Sequence, residues 1–346
     1  MDFLDIYQLK IIYFTIISFL IIFSVNKIFV KLLVKIKIFD INEKNNNNLI
    51  YTGFGFSFTI ITLLYLLWFL IFNEQNYIYY QIKYLPIPLS IMIIGTIGFL
   101  DDYRGTPVHL RLILFFMCCF LSTSALSNNI LFFISFHKLQ LAILTLTWVY
   151  FLNASNFLDG GDRFYINFIL PNSLFFIFYY YFINEDFLRL QLNILVFLFI
   201  IHFSFYNRNP NKFFLGDTGS LVFGYIHCFN IFHLIENNEF VLGVMLSLYI
   251  ISDVSITLFL RILNKRNIFS RHKGFFIHVS KFLGRSTNNI ANSILLTNIS
   301  LVTLGIIYKW YYQNILLLIL GFFIIIFYLS YLIKFNFRNL KYIFQN

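Results

Sequence analysis

Long apolar runs broken by short polar stretches set the pattern of this chain. Eleven runs approach the roughly 20 residues that a helix needs to cross the hydrocarbon of a bilayer: 9–29, 53–72, 84–100, 110–127, 138–156, 164–183, 189–206, 219–235, 240–262, 291–308 and 314–334. Pro86 and Pro88 open the third run, where a missing backbone N–H does least harm. The stretch 128–137 is apolar but too short to cross, and is read as lying in the interface. The pattern predicts an all-α fold, a polytopic transmembrane helical bundle of about 11 spans, in a single integral-membrane domain over residues 1–346.

If the runs alternate in direction, one set of loops collects 20 of the 25 Lys and Arg residues, and the other keeps Lys10, Lys83, Lys138, Arg189 and Lys309. The positive-inside bias then puts the N-terminus outside, the C-terminus in the cytoplasm and the protein in the inner (cytoplasmic) membrane. On that reading the formal net charge of +10 is topological, and no nucleic-acid surface is needed to account for it. Composition agrees, since hydrophobic residues make up 59% and charged ones only 12%, about half the usual charged share. Cys118, Cys119 and Cys228 all lie in apolar runs, where they serve as small hydrophobes rather than redox or metal groups. The first run lacks a strongly basic flank and a small-residue cleavage site, so it is read as a retained span. No repeat relates two halves in the manner of many transporters.

The chemistry gathers on one side. Five of the seven acids predicted to be cytoplasmic fall in three short segments that abut apolar runs: Asp101 and Asp102 in GFLDDYRG, Asp159 and Asp162 in NASNFLDGGDRF, and Asp217 in FLGDTGS. A carboxylate at a helix centre costs about 2.5–3.5 kcal/mol to insert and less toward the interface, so these acids need a partner or a wet cleft. Taken singly, each segment reads as a helix cap or turn at the membrane surface. Taken together, carboxylates on one face repel unless a cation sits among them, and oxygen ligands in a basic surround suit Mg2+, or Mn2+, holding a phosphate. Gly160, Gly161, Gly216 and Gly219 add unhindered backbone N–H groups beside the carboxylates.

A fourth segment offers Arg271, His272 and His278 for phosphate, while Lys265, Arg266, Lys281 and Arg285 read as a lipid-facing basic surface. The expected catalytic loops therefore lie near 101–109, 156–165, 207–220 and 263–290. His202, His227 and His233 sit in apolar helices with no acid nearby in sequence, and are read as buried imidazoles. Asp253, inside the ninth run, is left between a buried ion pair and a supporting role.

With these residues assembled, residues 50–290 resemble the polyprenyl-phosphate N-acetylhexosamine-1-phosphate transferase superfamily. The pair Asp101 and Asp102 resembles the family's aspartate pair, and NASNFLDGGD is similar to its N-A-x-N-x-x-D-G-x-D segment, with Asn153, Asn156, Asp159 and Asp162 in register. FLGDTGSLVFG resembles G-D-x-G-S-x-x-x-G, placing Asp217, Gly219 and Ser220; Asp253 with Arg261, before a His-bearing loop, resembles the last segment. Three positions depart from the pattern. Arg163 and Phe164 stand where a Gly and an aliphatic residue are usual, and YTGFGFSF keeps Gly53 and Gly55 without the usual cation. RHKGFFIH replaces a tight multi-histidine run, which argues for the O-antigen-initiating branch rather than the muramyl-pentapeptide branch.

The resemblance implies transfer of an N-acetylhexosamine-1-phosphate from a UDP-amino sugar to polyprenyl (undecaprenyl) phosphate, releasing UMP and initiating a cell-surface glycan such as the O-antigen of lipopolysaccharide. It implies Mg2+ held by Asp217 with Asn156, and Asp101 and Asp102 as catalytic residues facing the lipid phosphate. Asn153, Asp159, Asp162 and Ser220 are expected to contact the nucleotide-sugar, and Arg271, His272 and His278 to neutralise phosphate. Arg163 is expected to reach the donor diphosphate rather than pair with Asp162. A homodimer is compatible with the sequence. Competing readings are a transporter, whose acids belong near mid-bilayer, and an inactive relative acting as a scaffold.

Overall fold

The structure is a computed structural model that describes residues 3–39, 50–72, 83–123, 125–126, 136–207, 213–267, 274–311 and 314–344. Among these, the secondary structure is helical apart from isolated bridges that join Tyr51 to Phe39 and to Phe213. The helices are α1 (Phe3–Ile36), α2 (Gly55–Phe72), α3 (Pro86–Arg104), α4 (Val108–Thr123), α5 (His137–Leu158), α6 (Phe164–Phe182), α7 (Phe187–Ser204), α8 (Gly216–Glu236), α9 (Phe240–Leu263), α10 (Phe276–Phe282), α11 (Thr287–Trp310) and α12 (Leu316–Leu332), followed by a 3-10 segment (Phe337–Phe344). The predicted all-α class holds for the described residues, and each of the eleven apolar runs falls on one of these helices.

Among the described residues, seven helices are long and apolar enough to cross a membrane: α1 from Gln8, α2, α5, α7, α8, α9 and α11. An eighth is reached if α12 and the 3-10 segment, bent by 78° at their break, count as one span. The remaining runs are weaker for visible reasons. α3 ends in the charged residues Asp101, Asp102 and Arg104, α4 has only 16 residues, and α6 contains Asn167, Pro171, Asn172 and four tyrosines. The interfacial stretch expected at 128–137 and the run of asparagines from Asn45 lie mostly or wholly outside the described residues.

The chain divides into two compact units, residues 1–152 with 173–230, and residues 153–172 with 231–346. In the first unit, α2 packs on α3, α3 on α4 and α1 on α7. Several polar groups in its interior pair with one another: Ser57 Oγ donates to Asn26 Oδ1 at 2.7 Å, and Asn26 Nδ2 meets His202 Nδ1 at 2.9 Å. Ser122 bridges Ser90 at 2.9 Å and the Tyr225 hydroxyl at 2.6 Å, linking α4 to α3 and α8. Such internal pairing is what an apolar surround demands, because an unmatched buried polar group costs several kcal/mol there.

Glycines set the helix spacing in this unit. A Cβ at Gly55 would lie 2.2 Å from Gly219 Cα, and one at Gly98 would lie 2.6 Å from Thr218 Cα. Backbone therefore meets backbone where α2 and α3 approach the start of α8, the close packing that small residues permit. The second unit is built from α9, α11 and α12, with the short α10 against them. Asn167 Nδ2 donates to the Ala291 carbonyl at 2.6 Å and Phe168 packs beside Tyr249, which fixes the segment 153–172 in that unit.

Candidate functional site

Asp101 and Asp102 occupy the last turn of α3, past its apolar stretch, and Asp217 is the second residue of α8. The three are thus on helix ends rather than in loops. A carboxylate in a last helical turn opposes the helix dipole, at a cost of about 0.3–1 kcal/mol, so both α3 acids need donors. Asp102 finds them at the start of α8. Its Oδ1 accepts from the Thr52 hydroxyl and from Asp217 N–H, each at 3.1 Å, and its Oδ2 accepts from Thr218 N–H at 3.3 Å and Thr218 Oγ1 at 2.9 Å. An acid from the negative end of one helix therefore satisfies open N–H groups at the positive end of another. Burial pushes the Asp102 carboxyl up to about 6, against these four donated bonds, which favour its charged form.

Asp101 turns the other way. Its Oδ1 accepts from Thr106 N–H at 2.6 Å and Thr106 Oγ1 at 2.7 Å, and its Oδ2 pairs with Arg111. The same Arg111 nitrogen, Nη1, also donates to Asp217 Oδ2 at 3.0 Å. Arg111 therefore bridges two of the three carboxylates from the first turn of α4, where a cation is disfavoured by the dipole unless anions receive it. Of the two acids it bridges, Asp217 is the more open, its side chain 28% exposed against 5% for Asp101.

Gly216 lets this assembly close. It has φ +79°, a left-handed conformation that costs other residues about 1 kcal/mol or more. A Cβ there would lie 2.4 Å from Asp102 Oδ2 and 2.6 Å from Gly53 N. The glycines of this segment thus serve close packing, a role different from the open phosphate-facing N–H groups expected of them. Ser220 is fully buried, and its hydroxyl donates back to the carbonyls of Gly216 at 3.1 Å and Asp217 at 3.3 Å.

The second unit holds the other expected residues. Asn153 and Asn156 lie in the last turns of α5, and Asp159 and Asp162 in the turn that follows. α10 sits on this segment, with Phe275 stacked on Phe157 at 5.0 Å. His278 reaches it directly: a Cβ on Gly160 would fall 2.2 Å from His278 Cε1 and 2.7 Å from Nε2, so only glycine leaves room for the imidazole. Arg163 adopts φ +63°, which fits the Gly usual there in the resembling family, and its Nη2 donates to Asn288 Oδ1 at 2.7 Å. Arg271 and His272 lie outside the described residues.

Sequence comparison reaches the same residues from another side. Residues 84–235 match the family model described as Glycosyl transferase family 4. The match takes in 152 of the 346 residues, and over them this chain is similar to that family. The matched residues hold Asp101, Asp102, Asp159, Asp162 and Asp217, whereas Asp253 and His278 lie beyond them.

Proteins similar to this chain include a phospho-N-acetylmuramoyl-pentapeptide-transferase of Listeria welshimeri, 32% identical over 161 residues that cover 39% of this chain and 47% of the relative. A protein of the same name from Prochlorococcus marinus is 34% identical over 112 residues, 30% of each chain. The match to the first of these relatives thus spans about half of its length.

The candidate site rests on residues that the sequence does not single out. In the sequence Arg111 is one more basic loop residue, and nothing distinguishes Thr52, Thr106 and Thr218. A cation in the first turn of a helix, ten residues after an acid pair, was the available signal. Among the described residues no three His, Cys, Asp or Glu side chains are arranged to hold a metal ion. The donor set still fits Mg2+, which takes one or two protein carboxylates and completes its shell with substrate phosphates and water. Asp217, the more open of the two acids that Arg111 bridges, is the residue that would suit it. His202, His227 and His233 are buried, with His202 bonded to Asn26 and His227 beside Phe151 and Phe176.

Proposed function

We propose that this chain transfers an amino-sugar-1-phosphate, of the N-acetylhexosamine class, from a UDP-sugar to a polyprenyl phosphate and releases UMP. The observation that carries the reading is the Asp101–Arg111–Asp217 bridge at the start of α8: two carboxylates share one guanidinium, a third, Asp102, stands beside them, and the more open of the bridged pair lies in a helix's first turn. That arrangement holds a net negative charge ready for a cation and presents a cation, Arg111, ready for an anion. Both are what a diphosphate substrate requires.

In the reaction, a phosphate oxygen of the lipid attacks the β-phosphorus of the donor, the bond from that phosphorus to the bridging oxygen breaks, and UMP leaves with the electron pair. The nucleophile carries its charge already, since a phosphate monoester has a second pKa near about 6. The protein's work is therefore alignment and charge neutralisation rather than proton removal. Mg2+ bound through Asp217 would offset charge on the donor diphosphate. Asp102 holds the first turn of α8, and thereby the Asp217 backbone, in place. Arg111 keeps Asp217 oriented and can exchange its bond to Asp217 for one to phosphate. Asn156, the expected companion ligand, and His278, the expected phosphate partner, belong to the second unit, and their roles follow from the resemblance.

The O-antigen-initiating branch remains the favoured one on the altered histidine loop. A second donor, UDP-N-acetylmuramoyl-pentapeptide, is favoured by the names of the relatives. Purified protein given Mg2+, undecaprenyl phosphate and each UDP-sugar in turn should release UMP with one of them and none without the lipid. Absence of UMP with every donor would overturn the transferase reading in favour of a scaffold. The proposed orientation, with an outside N-terminus and a cytoplasmic active face, predicts that single cysteines placed at Asn184 or Asn237 react with an impermeant thiol reagent in intact cells. Protection of both would reverse it.

A further inference from the structure

Asp253 lies inside the apolar helix α9 and is fully buried. An acid so placed needs a reason, because its burial is costly and an apolar residue would remove the cost. Among the described residues no cation receives it: Arg261, two turns further along α9, instead donates to the carbonyls of Ile343 and Asn267, each at 3.1 Å. The carboxylate reaches backbone. Asp253 Oδ1 accepts from Phe276 N–H at 2.9 Å, and Thr257 Oγ1 approaches the same oxygen at 3.4 Å. Phe276 is the first residue of α10, whose own N-cap position, Phe275, supplies no side-chain cap. The remaining carboxylate oxygen, Oδ2, is buried without a hydrogen bond.

The consequence falls on His278. α10 has only seven residues, too few to be stable alone, so its start must be fixed from outside. Of its first five residues, only His278 is not buried, and its ring occupies the space that Gly160 leaves open. We infer that Asp253 is a positioning residue: by taking the first N–H of α10 from within α9, it sets the helix so that the His278 imidazole lies over Gly160 in the Asn153–Asp162 segment. The use of His278 on phosphate rests on the proposed transferase function, but the geometry asserted for Asp253 can be tested without it.

The test uses the full chain in lipid nanodiscs with two substitutions. Asp253→Asn keeps an acceptor oxygen for Phe276 and places its amide where Oδ2 makes no hydrogen bond. Asp253→Leu has nearly the same shape, suits an apolar span and so folds, but cannot accept. Hydrogen exchange of the peptide 274–283 should stay at the wild-type rate in Asp253→Asn and rise at least tenfold in Asp253→Leu. Turnover should follow, with kcat/KM within about threefold of wild type for Asn and about 10- to 100-fold lower for Leu. In a His278→Ala background, Asp253→Leu should cost no more than about twofold further, since the residue acts through His278. Unchanged exchange in the Leu variant, or a full second loss in the His278→Ala background, would overturn the inference. If no UDP-sugar is turned over at all, the exchange rates alone decide it, and the failure is that of the transferase reading.

Discussion

The two units solve one problem in two ways. In each, an aspartate from one helix accepts the open N–H groups at the start of another, and that second helix carries a side chain suited to phosphate chemistry. In the first unit the acid is Asp102, the capped helix is α8 and the side chain is Asp217; in the second they are Asp253, α10 and His278. The difference lies in how completely the acid is used. Asp102 spends both oxygens on four donors, while Asp253 takes its hydrogen bonds on Oδ1 and none of regular geometry on Oδ2. What glycine does differs too: behind Gly55 and Gly98 stands backbone, behind Gly160 an imidazole ring. Close packing at these glycines is therefore backbone on backbone in the first unit and ring on turn in the second.

The largest effect expected is at the helix start in the first unit. Asp217→Asn keeps the shape and loses the charge, so kcat should fall by about a thousandfold, roughly 4 kcal/mol of transition-state stabilisation, with the protein still inserted and Mg2+ titration no longer restoring rate. Activity within tenfold of wild type would take Asp217 out of the site. Asp102→Asn comes next and is the direct contrast with Asp253→Asn. Because Thr218 faces one oxygen and Thr52 with Asp217 N–H the other, an amide NH2 in either position meets a donor, and a loss of about a hundredfold is expected. Equal tolerance of Asn at the two positions would erase the distinction between the units.

Part of this was legible in the sequence, for a physical reason. Apolar runs read well because a span must be long and apolar whatever it packs against, so each run falls on a helix. The convergence of Asp101, Asp102 and Asp217 was legible because acids that abut apolar runs on one predicted side must share donors or a cation to be tolerated there. Arg111 was hidden by its ordinariness, since any loop cation satisfies the positive-inside bias. Gly55 and Gly98 were hidden because the packing partner of a glycine cannot be read from a single sequence, and the two-unit division is marked by no step in composition. At Arg163 the sequence shows a charge and a place where a Gly is usual. Its positive φ, which its place in the G-G-D-R turn demands, was not visible.

Smaller effects sharpen the comparison of the glycines. Gly55→Ala drives a methyl into Gly219 Cα, and backbone cannot step aside, so a loss of about 2 kcal/mol in stability is expected, read as a lower unfolding midpoint. Gly160→Ala meets the His278 ring first, the far end of a side chain rather than backbone. Stability should change little, while kcat/KM falls about tenfold. The reverse ranking would mean that the ring contact, and not the backbone contact, is the one that cannot yield. Arg163→Gly should have the smallest effect. It relieves a left-handed φ worth about 1 kcal/mol and gives up one hydrogen bond to Asn288 worth about the same, leaving stability within about 1 kcal/mol of wild type. A 10- to 100-fold fall in kcat/KM would instead return the guanidinium to the donor diphosphate.

The measurement closest to the central claim follows the β-phosphate. With a UDP-amino sugar labelled at its β-phosphorus, purified protein and undecaprenyl phosphate should carry the label into the lipid phase as a polyprenyl-diphosphate-sugar while unlabelled UMP appears in the aqueous phase. Label retained in aqueous UDP, with sugar alone moving to the lipid, would contradict sugar-1-phosphate transfer and the phosphate-centred account of Asp217 and Arg111.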